Sequence, residues 1–62
     1  MIAVTHKTDK GEIVRDSFGD AVKVKTKSDG LGCTLQVLYD NKGRIVAGFV
    51  TEQVLQIEVT QP

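Results

Sequence analysis

Polarity along this chain alternates with a period of two, and clusters containing Asp and Gly stop each run after a few residues. A period of two puts successive side chains on opposite faces of a pleated strand, and short runs between turn residues cannot become long helices. Residue choice agrees. Nine Val, four Ile and six Thr are β-branched, against seven Ala and Leu together. Such side chains lose χ1 freedom in a helix and pack well on a sheet.

The runs divide the chain into six candidate strands. Strand one is Ile2 to Thr8, with Ile2, Val4 and His6 on one face. Asp9-Lys10-Gly11 is a hairpin loop, its glycine able to take the left-handed conformation of a bulge. Strand two is Glu12 to Arg15, stopped by a turn at Asp16-Ser17-Phe18-Gly19-Asp20. Strand three, Ala21 to Lys27, directs Val22 and Val24 inward and Lys23, Lys25 and Lys27 outward. Ser28 to Gly32 is loop by composition. Strand four, Cys33 to Tyr39, gathers Leu35, Val37 and Tyr39 on one face. Asp40-Asn41-Lys42-Gly43 is the strongest hairpin signal. Strand five, Arg44 to Val50, is apolar on both faces. Strand six, Gln53 to Val59, carries Leu55, Ile57 and Val59; a helix over Thr51 to Ile57 is the rival reading.

Asp9-Lys10-Gly11-Glu12-Ile13-Val14 echoes Asn41-Lys42-Gly43-Arg44-Ile45-Val46. A duplicated three-stranded unit and repeated use of one good hairpin turn both explain this. The phase breaks further on, where Lys23 and Lys25 would align with Leu55 and Ile57, which favours the repeated turn.

The expected fold is all-β: a small antiparallel five- to six-stranded barrel or open sheet of hairpins forming one domain over residues 1–62, completed by dimerisation. A chain of 62 residues buries only about 60% of the surface its unfolded form exposes. Covering both faces of strand five from within is therefore difficult. Val46, Val50, Leu55, Ile57 and Val59 are the expected oligomer or partner interface.

Chemistry is thinly represented. His6 and Cys33 are the sole residues of their types, so an intrachain disulfide is impossible and a zinc site would need ligands from a second subunit. Cys33 reads as a small buried thiol opening a strand. Gly30-Leu31-Gly32 is too short for a phosphate-binding fingerprint, and the aspartates sit at turns where they cap backbone amides. The expectation is a protein that is not an enzyme and has no cofactor or metal. Without disulfides, a spanning segment or a signal-peptide core at Met1 to Lys7, the expected location is cytoplasmic, in a bacterium or in the host of a phage or mobile element.

Eight Lys and Arg balance eight Asp and Glu, giving a formal net charge of zero. Non-specific attraction to nucleic acid or anionic membrane is therefore not expected to dominate. Locally the balance fails: Lys23, Lys25 and Lys27 project from one strand about 7 Å apart, a spacing comparable to phosphates on a nucleic-acid strand. Lys7 extends this anion-contact set if strand one neighbours strand three. A solvated face, or lysines guarding an edge against aggregation, gives the same pattern.

Met1 to Lys7, Gly11-Glu12 and Gly19-Asp20-Ala21-Val22-Lys23-Val24 together resemble the opening of the carbon-storage regulators, small β-rich dimers that bind messenger RNA. The resemblance covers at most the first third to half of the chain and needs insertions near Asp9 and Ser17. It implies RNA binding with His6 and Lys7 as the basic residues of strand one. The second half departs: the family's Leu-Gly-Ile…Ala-Pro strand end and His-Arg stretch are missing, and Asn41 to Val59 reads as hairpin and strand where the family has a helix. The leading expectation is thus a self-associating interaction module for a protein partner; the alternative is RNA or single-stranded nucleic-acid binding through the lysine-lined strand.

Overall fold

The computed structural model describes residues 1–60. Six antiparallel strands are β1 (Ile2–Lys7), β2 (Ile13–Phe18), β3 (Lys23–Ser28), β4 (Thr34–Tyr39), β5 (Ile45–Val50) and β6 (Val54–Val59). They form two three-stranded sheets. Sheet A has the order β2-β1-β6 and sheet B the order β3-β4-β5. The Cα extents of 31 × 27 × 13 Å are those of two layers, since stacked sheets lie about 10 Å apart. Followed around the molecule, the strands keep the order of an up-and-down barrel that is open at two seams, between β2 and β3 and between β5 and β6. The fold is the open arrangement of hairpins, not the closed barrel.

Three hairpin turns span five residues each. In the first, Thr8 N–H donates to Glu12 O (2.8 Å) and Gly11 N–H to Thr8 O (2.9 Å); in the last, Asp40 N–H donates to Arg44 O (2.9 Å) and Gly43 N–H to Asp40 O (3.1 Å). Gly11 and Gly43 have φ of 81° and 79°, a conformation that costs an L-residue with a Cβ roughly 1–2 kcal/mol.

The repeat goes beyond these turns. Thr34–Tyr39 lies 32 residues after Ile2–Lys7, Ile45–Val50 lies 32 after Ile13–Phe18, and Val54–Val59 lies 31 after Lys23–Ser28. Pairings repeat too: β1 with β2 as β4 with β5, and β6 with β1 as β3 with β4. Each half of the chain contributes its first two strands to one sheet and its third strand to the other. The break in phase has a local cause. Four residues, Gly19 to Val22, join β2 to β3, whereas a three-residue 3-10 turn, Thr51–Gln53, joins β5 to β6. Once that residue is skipped, Lys25 and Lys27 correspond to the outward Gln56 and Glu58; Lys23 corresponds to Val54, which turns inward because the β1–β6 register shifts between Thr5 and His6. The strand reading of the last segment holds, with the 3-10 turn in front of it.

The core lies between the sheets. Ile2, Val4, Ala21 and Leu38 are fully buried, and Phe18, Val24, Val46, Ala47, Phe49, Val54 and Ile57 pack against them. Phe18 and Phe49 meet edge to face across the layers with centroids 5.9 Å apart. Complete burial of Ile2, Val4 and Leu38 stabilises by about 1.5–3 kcal/mol each.

Three expectations need correction. Asp16, Ser17 and Phe18 are not a turn but the end of β2, paired with Val4, Ala3 and Ile2. The buried neighbour of Val24 is Ala21; Val22 is 54% exposed because β3 starts only at Lys23. Leu35, Val37 and Tyr39 share a face as expected; it is the outer one, beside the lysines, while Leu38 fills the core. Cys33 is exposed in the β3–β4 loop, not buried.

Candidate nucleic-acid interface

Antiparallel register places the outer face of sheet B side by side. Lys23 lies opposite Tyr39, Lys25 opposite Val37 and Lys27 opposite Leu35; beyond them Tyr39 faces Ile45, Val37 faces Gly48 and Leu35 faces Val50. Directly opposed residues share a face, so a cationic row runs beside an apolar row that contains one aromatic ring. Val37 is 6% exposed although its pairing with Lys25 sets it on the outer face.

An open groove of about 510 Å³ follows this boundary. Lys23, Lys25, Lys27, Tyr39 and Val22 line it, and the turn residues Asp40, Asn41 and Gly43 close one end. The Lys27 ammonium stands 5.4 Å from the centroid of the Tyr39 ring, within cation–π range. None of the three lysines forms a salt bridge among the described residues. Their charge is therefore presented to solvent without an internal counterion.

The turn at the end of the groove is rigidly held. Asp40 Oδ1 accepts from Lys42 N–H (2.9 Å) and Arg44 N–H (2.8 Å), and Asp40 Oδ2 accepts from Arg44 Nε (2.8 Å). The Arg44 backbone N–H does most to hold the Asp40 carboxyl below its ordinary value; desolvation opposes it, and the Arg44 guanidinium and the Lys42 N–H each add a smaller lowering effect. That carboxylate is thus spoken for by Arg44 and the turn, which limits its neutralisation of the lysine row.

Lys7 does not join the groove. It is on β1, whose neighbours are β2 and β6, so the condition for extending the lysine set fails. The five expected interface residues separate as well. Val46 and Ile57 pack against the core, Val50 is exposed on sheet B, and Leu55 and Val59 are exposed on sheet A.

His6 faces inward with Ile2 and Val4. Its Nε2 is 2.8 Å from Asp16 Oδ2, and its ring packs on Phe49 with centroids 4.7 Å apart. A turn at Asp16 hides this pair in the sequence; β2 running on to Phe18 sets Asp16 opposite Val4, on the face of β1 that carries His6. A His–carboxylate pair orients an imidazole, but nucleophilic chemistry needs a third group beside it. Among the described residues no three His, Cys, Asp or Glu side chains are grouped to hold a metal ion, and no helix is long and apolar enough to cross a membrane.

Comparison of the chain with models of known families, with curated proteins and with solved structures gives no match.

Proposed function

We propose that the protein binds single-stranded nucleic acid along the outer face of sheet B. The observation that carries this reading is the position of Tyr39: of three aromatic residues, Phe18 and Phe49 pack on the core, and Tyr39 lines the groove with Lys23, Lys25 and Lys27. Sequence-tolerant binders of single strands combine a cationic track for the backbone with an aromatic ring on which a base stacks. Phosphates would follow the lysine row on β3 and one base would lie on Tyr39, with Val22 as the apolar residue of the groove. A formal net charge of zero provides little long-range steering, so contacts in the groove must supply the affinity.

Fluorescence anisotropy with labelled oligouridine and oligothymidine tests this. Three phosphate contacts give a slope of about −2 for log affinity against log salt. Replacing Lys23, Lys25 and Lys27 together with Gln flattens the slope toward zero. Tyr39→Ala weakens binding by about tenfold and leaves the slope in place, since a stacked base is worth about 1–3 kcal/mol. Absence of salt-sensitive binding to either oligomer in dilute buffer overturns the proposal.

The reading as a protein-interaction module draws on a different feature, the uncharged edge of sheet B.

A further inference from the structure

Four strands are sheet edges: β2 and β6 in sheet A, β3 and β5 in sheet B. An edge offers unpaired backbone N–H and C=O groups, and folded proteins guard such edges with charge. β2 carries Arg15 and Asp16, β3 carries three lysines, and β6 carries Glu58; β5, Ile-Val-Ala-Gly-Phe-Val, carries no charge. The repeat makes the contrast specific. β2 and β5 are equivalent edges of equivalent sheets, and where β2 has Arg15 and Asp16, β5 has Ala47 and Gly48. Ile45 is 67% exposed and Val50 41% exposed along that edge.

We propose that β5 pairs antiparallel with β5 of a second copy of this chain, joining two copies of sheet B into one six-stranded sheet. A twofold axis through Gly48 sets Gly48 opposite its own copy, and the bulge that leaves Val46 unpaired with β4 brings Ile45 of each copy beside Val50 of the other. Both lie on the outer face, because they oppose Tyr39 and Leu35 on β4. Charge completes the match. β5 is preceded by the exposed Arg44, whose Nε is held by Asp40 while its Nη groups have no partner among the described residues, and followed by the exposed Glu52. Antiparallel pairing brings Arg44 to the other copy's Glu52 at both ends, whereas parallel pairing would set like charges together. Among the described residues no strand pairs with the outer side of β5. In the joined sheet the two lysine rows share one face, five strand spacings or about 24 Å apart. The pairing does not rest on nucleic-acid binding and is tested without it.

Sedimentation equilibrium on the full chain, at concentrations up to about 1 mM to cover small interfaces, is expected to show a monomer–dimer equilibrium. Replacing both Ile45 and Val50 with Lys raises the dissociation constant at least about tenfold, as a guarded edge should. Glu52→Arg and Arg44→Glu each weaken self-association, and mixing the two variants restores a dimer, because only the mixed pair has opposite charges at both ends. Hydrogen exchange at several concentrations provides a readout that needs no variant: β5 amides gain protection as the dimer forms. A monomer throughout the range, or concentration-dependent protection on β2, β3 or β6 in place of β5, overturns the proposal. Circular dichroism of each variant separates lost pairing from lost folding.

Discussion

On the outer face of sheet A, Arg15 and Glu58 meet 3.4 Å apart across the central strand, and the residues around them are Ala3, Thr5, Ser17 and Gln56. On the equivalent face of sheet B, three lysines have no acidic partner and stand beside Tyr39, Val37 and Leu35. The scaffold is the same in both places, strand for strand. The difference therefore lies in the side chains placed on it: sheet A pairs Arg15 with Glu58 and leaves Lys7 as its one unpaired outer charge among the described residues, whereas sheet B leaves three lysines and an aromatic ring for something else to use. A requirement for solubility alone would be met by the first pattern on both faces.

The sheets also differ in how far apart their strands lie along the chain. Sheet B is built from consecutive strands joined by tight turns, whereas sheet A closes only when Val59 returns to Ile2. Local pairs close short loops and form early; distant pairs must first bear the entropy of a long one. Removing buried side chains should expose this most strongly. Leu38→Ala and Ile2→Ala each cost about 2–5 kcal/mol, as both residues are fully buried. Stopped-flow measurements in denaturant should show Leu38→Ala mainly slowing folding and Ile2→Ala mainly speeding unfolding. If either variant is unfolded, Leu38→Val and Ile2→Val carry the same comparison at about 1 kcal/mol. Equal partition for the two sites would break the distinction.

A smaller effect sharpens it. Gly11→Ala and Gly43→Ala place a side chain at positive φ, and no tight contact adds to the strain at either site. Each costs about 1–2 kcal/mol at equilibrium. The Gly43 change should fall mostly on the folding rate, and the Gly11 change less so, as chevron plots of the two variants would show.

The smallest effect is one of pH. Asp40 caps its turn as a carboxylate, while at the equivalent place Thr8 does so with a hydroxyl, accepting from Glu12 N–H at 3.2 Å. Because the folded state lowers the Asp40 pKa, its contribution is complete above the ordinary value of 3.8 and is lost as pH falls through the lower folded value. In acid the Arg44 amide resonance should move with that titration and the Glu12 amide should not follow it. Asp40→Asn removes the dependence.

Much of this was legible in the chain. Asp-Lys-Gly and Asn-Lys-Gly located two turns, because few residues tolerate φ near +80°. The outward lysines of β3 followed from alternation alone. What failed to show was set by partners. Nothing in Asp16-Ser17-Phe18 favours a strand, yet pairing with β1 makes it one. The side of β4 that meets the core depends on which sheet covers it, so alternation groups Leu35, Val37 and Tyr39 on one face without deciding that Leu38, on the other, lies between the layers. Tyr39 and the lysines were visible separately; their sharing of one groove depends on register, which no single strand encodes.

Cys33 remains as the only thiol, exposed in the loop that joins the lysine strand to the tyrosine strand. Its position makes the protein a ready spectroscopic probe of itself. One maleimide dye or nitroxide per chain, attached there, would sit at the end of the groove opposite the Asp40 turn. Quenching of such a dye would report an oligonucleotide lying along the groove, and the separation between two nitroxides would report how two copies are arranged.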